Sequence, residues 1–225
     1  IMRTAMAEVV AQDSTPNLVN YFDLAYADPS PLVLCDPATN TTIEILSDDG
    51  TRQGDVFSLK VFCKTLEAPI NEARKEAPVM DLKGYVDDIA SVDASLEQNW
   101  RFFSALRQHA RTIGLEVALQ KCEIIIPAAT TASDEEIIAQ AKELGMTIVD
   151  PRGCNPLSTA RHSRYLGAPV GDDAACSQFC QDRVDEMTPF FAALESEHLP
   201  AKIKQVLLMN SGIPRMNFLL RTVPP

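Results

Sequence analysis

Two adjacent aspartates, Asp87 and Asp88, interrupt two short apolar runs. Val79, Met80 and Leu82 lead in, and Ile89, Ala90 and Val92 lead out. Each run has the length of a strand, so the spacing predicts a hairpin with the acids at its tight turn. Asp suits a turn because its side chain bonds nearby backbone and tolerates unusual dihedrals. Carboxylates held at the rim of a sheet can also coordinate hard divalent cations such as magnesium, which prefer oxygen ligands. The dipeptide alone leaves both readings open.

A second stretch with chemical potential is Arg52-Gln53-Gly54-Asp55, directly before a long apolar-periodic segment. A helix start offers free backbone donors and the positive end of the dipole, which favour anions. A plain capping turn fits the same residues. Lys121, between two predicted strands, would ordinarily be solvated. The six cysteines are scattered, with no paired short spacings of the kind a zinc site needs. Reduced thiols are expected, with Cys176 and Cys180 on one helix face.

The elements that must position these residues follow from periodicity and punctuation. Helices are predicted over residues 1–12, 17–27 and 56–75. Leu32–Cys35 and Thr42–Leu46 read as strands of a hairpin. After the acidic hairpin, residues 94–112 read as an amphipathic helix with Leu96, Trp100, Phe103, Leu106 and Ile113 on its core stripe. Trp100 is thereby assigned to the core rather than to a stacking platform. Gly114 closes that helix. Strands are predicted at Leu115–Leu119 and Cys122–Ile126, then a helix capped at Ser133 and stopped at Gly145, then a strand at Met146–Val149. Residues 164–171 read as a bent strand or hairpin. Helices follow over 175–197 and 201–209, and Gly212-Ile213-Pro214 is expected to break the pattern.

Composition bounds the possibilities. The chain has 225 residues, 46% of them hydrophobic, enough for one large or two small domains. No apolar run approaches the roughly 20 residues of a membrane span, and no secretory signal is visible, so an intracellular protein, nuclear or cytoplasmic, is expected. Net charge is −11, with 31 acidic and 20 basic residues, which argues against a protein that simply coats nucleic acid. The acidic excess lies in residues 1–160; the remainder is neutral. The chain begins with Ile1, and a longer reading frame is expected.

Taken in order, Arg52-Gln53-Gly54-Asp55, Tyr85-Val86-Asp87-Asp88, Gly114-Leu115-Glu116 with Lys121-Cys122-Glu123, and Tyr165-Leu166-Gly167-Ala168-Pro169 resemble a reverse transcriptase of the non-LTR retrotransposon type. The tail from Arg215 to Pro225 is similar to a segment that follows the palm in retroelement-derived reading frames, so the resemblance spans nearly the whole chain. It implies an α+β fold: a polymerase palm with a four-stranded antiparallel sheet backed by helices, then helical thumb-like material. Residues 1–170 would be a partial palm, without the fingers and the first catalytic aspartate strand, and residues 171–225 the thumb-like segment.

The implied activity is RNA-directed DNA synthesis by two-metal nucleotidyl transfer, with two Mg2+ ions, an RNA template, a DNA primer and deoxynucleoside triphosphates. Asp87 and Asp88 would be the catalytic metal ligands, Asp87 first, since successive strand side chains point to opposite faces. Lys121 would be a charge partner or proton donor near the nucleotide phosphates. Arg52, Gln53, Gly54 and Tyr85 would contact nucleotide and template, and Tyr165, Leu166 and Gly167 would hold the primer.

This sequence departs from the pattern. The family's further aspartate should follow a strand N-terminal to the glycine motif, and Asp13, Asp23 and Asp28 do not. Val56 replaces a common proline, and Lys60 and Lys64 stand at usually apolar positions, where they must reach solvent or pair. A catalytically inactive, retroelement-derived module that binds nucleic acid or protein is the competing expectation.

Overall fold

The structure, a computed structural model, describes residues 2–12, 16–52, 54–127 and 129–222. Asp13, Gln53 and the last three residues of the tail lie outside the described residues. The chain divides into two units, residues 1–117 and 118–225. Both mix helices with small sheets, consistent with an α+β class. No helix among the described residues is long and apolar enough to cross a membrane.

In the first unit, Met2, Met6 and Val10 recur every four residues and bury one face of α1 (Met2–Gln12). They meet Leu18, Phe22 and Tyr26 of α2 (Pro16–Tyr26) and Val61 of α3 (Ser58–Glu76) in one apolar cluster. Between α2 and α3, β1 (Ser30–Asp36) and β2 (Thr41–Ser47) form the expected antiparallel hairpin. Leu32 faces Ile45 and Leu34 faces Ile43, all four roughly half exposed. A second cluster joins Ala73 of α3, Ala77 and Val79 to Phe102, Ala105 and Leu106 of α4 (Leu96–Thr112). Against it pack Leu82 of β3 (Asp81–Tyr85) and Ile89 of β4 (Asp88–Val92). Lys60 and Lys64 are exposed on α3, and Lys64 pairs with Glu67 at 2.8 Å, as their positions required.

The second unit opens with a 3₁₀ turn at Leu119–Lys121 and a β-α-β crossover. In that crossover β5 (Glu123–Ile125) and β6 (Thr147–Val149) pair in parallel around α5 (Ala132–Glu143). Ile124, Ile137, Ile138, Ala141 and Ile148 are buried there. An antiparallel hairpin of β7 (His162–Tyr165) and β8 (Ala168–Gly171) follows. The chain continues with α6 (Asp173–Glu195), α7 (Ala201–Leu207), a π turn at Leu208–Gly212 and α8 (Ile213–Thr222).

Five expectations need correction. The described strands form four separate two-stranded sheets, one of them parallel, rather than a four-stranded antiparallel sheet. Leu115–Leu119 is not a strand. The Gly114 N–H bonds the Arg111 carbonyl at 3.1 Å and the Leu115 N–H reaches back to Ala110 at 3.0 Å, a Schellman cap that uses Leu115 to finish α4. Gly114 has φ +79, which the cap requires and a Cβ would oppose.

The buried face of α4 is Phe102, Ala105, Leu106 and Ala110, while Trp100 and Phe103 are half-buried and stack on each other at 5.4 Å. The cap of α5 is Thr131, whose hydroxyl and backbone share a reciprocal box with Asp134, rather than Ser133. Finally, Gly212-Ile213-Pro214 does not end the helical pattern. The helical path instead continues without a break from α7 through the π turn, whose Ile213 N–H bonds the Leu208 carbonyl, into α8, so the proline is met by a local widening of the helix rather than by its end.

Candidate functional site

Period-two alternation sorts the acidic hairpin. Leu82 and Ile89 face the α3–α4 core, which leaves Asp81, Lys83, Tyr85 and Asp88 on the opposite face. Tyr85 and Asp88 are direct cross-strand partners, and Val86-Asp87 form the two-residue turn. Val86 has φ +59, as the first residue of a type II′ turn must, although a β-branched side chain disfavours that region. Asp87 is thus a turn residue, and the alternation argument for ranking the two acids applies only to Asp88.

Both carboxylates are exposed, and neither makes a hydrogen bond or ion pair among the described residues. The hairpin is fixed from its base instead. Asp93 accepts from the Met80 N–H at 3.0 Å and the Ser95 N–H at 3.1 Å, and Gln98 donates to the Pro78 carbonyl at 2.7 Å.

Magnesium suits this donor set in kind. It takes hard oxygen ligands, and it is often held by one or two carboxylates with the remaining positions left to water and substrate phosphates. Among the described residues, no group of three or more His, Cys, Asp or Glu side chains gathers around the hairpin tip or elsewhere to hold a metal.

The Arg52–Asp55 loop is organised by a different aspartate. Asp55 accepts from the Tyr21 hydroxyl at 2.8 Å, from the Tyr26 hydroxyl and from the Phe57 N–H at 2.7 Å. Burial opposes its charge, but the donors from Tyr26, Phe57, Tyr21 and Ser58 outweigh that and hold its pKa below the ordinary value. The same contacts raise the tyrosines: Tyr21 mainly through its bond to Asp55, Tyr26 mainly through burial and then that bond.

Arg52 bonds the Ala25 carbonyl at 2.9 Å and the Ser30 hydroxyl, and with Arg3 it lies over the Tyr26 ring at 5.5 and 5.7 Å. Its guanidinium therefore ties the loop to the end of α2. Gly54 is exposed at φ +88, and nothing lies within 4 Å of the place a Cβ would occupy, so its backbone is open to an approaching group. No hydrogen bond or ion pair links this loop to the hairpin tip among the described residues.

The other candidates lie in the second unit. Lys121 is exposed at the end of the 3₁₀ turn. Tyr165 and Ala168 are cross-strand partners, and Leu166-Gly167 make the β7–β8 turn with φ +51 and +85, the pair of positive values that a type I′ turn needs.

Two supporting features escape the sequence pattern. Tyr21 and Tyr26 read there only as helix residues, because nothing in α2 announces a carboxylate partner about thirty residues away. Asp150, fully buried, accepts from the N–H groups of Arg152, Cys154 and Asn155 at 3.0, 2.8 and 2.7 Å and organises the loop before β7. The Asp-Pro-x-Gly sequence there is a usable turn signal. All six cysteines carry free thiols.

No protein-family model, curated protein or solved structure matches the chain.

Proposed function

We propose that the chain is a reverse transcriptase-like domain that acts within a longer retroelement polypeptide, with two-metal, RNA-directed nucleotidyl transfer as its chemistry. The observation that carries this reading is the hairpin tip: two adjacent, exposed carboxylates without partners among the described residues, with Tyr85 directly across from Asp88. The four ordered motifs add to it.

Asp87 and Asp88 would hold Mg2+, which when bound supplies charge stabilisation at the phosphoryl group under attack. Tyr85, 63% exposed, would border the primer terminus. The open backbone at Gly54 would admit the incoming nucleotide, and by the family resemblance Gln53 and Arg52 would contact nucleotide and template. Lys121 would neutralise phosphate charge or donate a proton, and the turn at Tyr165, Leu166 and Gly167 would contact the primer. Residues 1–170 would then serve as partial palm and 171–225 as thumb.

Primer extension on an RNA template with Mg2+ tests the proposal. The complete polypeptide should incorporate deoxynucleotides, and Asp87→Ala should lower the rate by about a hundredfold to a thousandfold, the order expected when a charge-stabilising group is removed. Undiminished incorporation in that variant would falsify the role of Asp87.

One observation favours a second reading, a retroelement-derived binding module without catalysis. The Arg52 guanidinium is already engaged by Ala25, Ser30 and Tyr26. That reading predicts no incorporation by the complete polypeptide under any metal condition.

A further inference from the structure

Helix α4 differs in charge from the protein that carries it. The chain has net charge −11, yet α4 bears Arg101, Arg107 and Arg111 against a single acid, Glu97. None of the three guanidiniums makes an ion pair or hydrogen bond among the described residues. His109, on the side of α4 that meets α3, bonds Glu76 at 2.7 Å and is therefore accounted for.

The apolar residues of α4 divide in the same way. Phe102, Ala105, Leu106 and Ala110 fill the core. Trp100 and Phe103 lie outside that face, with ring centroids 5.4 Å apart and planes 28° from parallel. Trp100, Phe103, Arg107 and Arg111 follow one another at spacings of three, four and four, so they share a single stripe along the helix. Arg111 is exposed, and Trp100, Phe103 and Arg107 are half-buried.

Two aromatic faces followed along the same stripe by two guanidiniums that have no partner among the described residues fit a strand that presents bases and phosphates together. Base stacking on aromatic side chains tolerates any sequence, while arginines follow the backbone. An acidic partner protein would satisfy the charges but would leave the stacked rings without a planar counterpart.

We propose that the Trp100–Arg111 stripe of α4 is a binding surface for single-stranded nucleic acid. It needs neither a metal nor the hairpin carboxylates, so it stands or falls separately from the proposed transfer reaction.

Trp100 is the one tryptophan of the chain, so its intrinsic fluorescence reports on this stripe alone. The full chain is titrated in EDTA, at about 50 mM salt, with a single-stranded oligothymidylate. Saturable quenching is expected. Phe103→Ala should weaken binding about fivefold or more, as loss of one stacking contact does.

The variant Arg107→Glu/Arg111→Glu, which replaces none of the buried residues of α4, should weaken binding at least about tenfold. It should also flatten the plot of log affinity against log salt by about 1.4, from two phosphates at about 0.7 each. Absence of quenching, unchanged affinity in the arginine variant, or equal binding of polyglutamate, the mark of an acidic protein partner, would each overturn the proposal.

Discussion

Asp55 and Asp150 are fastened by their surroundings, whereas Asp87 and Asp88 are left open. Asp150 is fully buried and gathers three backbone N–H groups, and Asp55 gathers two tyrosine hydroxyls and a backbone N–H. The hairpin acids have no such partners among the described residues and face outward. The same side chain thus performs opposite tasks. A carboxylate whose lone pairs are filled from within the chain holds a loop in place, and one with empty lone pairs on a rigid turn can accept something from outside.

The largest effect that would test this contrast is at Asp150. Replacing it with alanine leaves the Arg152, Cys154 and Asn155 N–H groups without their acceptor, and unfolding free energy should fall by about 3–5 kcal/mol. Urea denaturation of the variant measures this; a loss near zero would show that the loop does not depend on the carboxylate.

Asp55→Asn should have a smaller effect, a loss of about 1–2 kcal/mol near neutral pH, since the amide keeps one acceptor oxygen. Its pH dependence is more telling. The folded-state pKa of Asp55 lies below the ordinary value despite burial, because hydroxyl and backbone donors stabilise the charge. Its contribution is therefore complete above the unfolded-state pKa of about 3.9 and is lost as pH falls through the folded value. Asp55→Asn should flatten the acid limb of a stability-against-pH curve, and an unchanged limb would contradict the assigned bonding.

Asp87→Asn and Asp88→Asn should show the smallest effect on stability, within about 0.5 kcal/mol, as exposed substitutions without partners do. Thermal unfolding by circular dichroism distinguishes this from a structural role: a large loss at either position would place the hairpin acids with Asp55 and Asp150.

Much of the local structure was legible because it depends on neighbours in sequence. The four-residue spacing of Met2, Met6 and Val10, the alternation across the acidic hairpin and the stop at Gly114 each reflect contacts within a few residues. Misreadings arose where a distant partner intervened. Leu115 looks like the start of a strand, but its N–H closes α4 and its side chain packs on the first apolar cluster. Trp100 fits the apolar period of α4 as well as Phe102 does, and only the position of α3 decides which of the two is buried. Tyr21 and Tyr26 acquire their role from Asp55, far along the chain.

The sequence by itself determined most of the alternation of helices and strands and the place of two acids at a hairpin tip, Asp87 in the turn and Asp88 opening β4, since periodicity and turn chemistry act locally. Tertiary structure alone decided how the strands pair, which face of α4 remains outside, and which aspartates are filled from within. Those outcomes depend on groups brought together from distant parts of the chain, and hydrogen-bond satisfaction and burial have no linear signature.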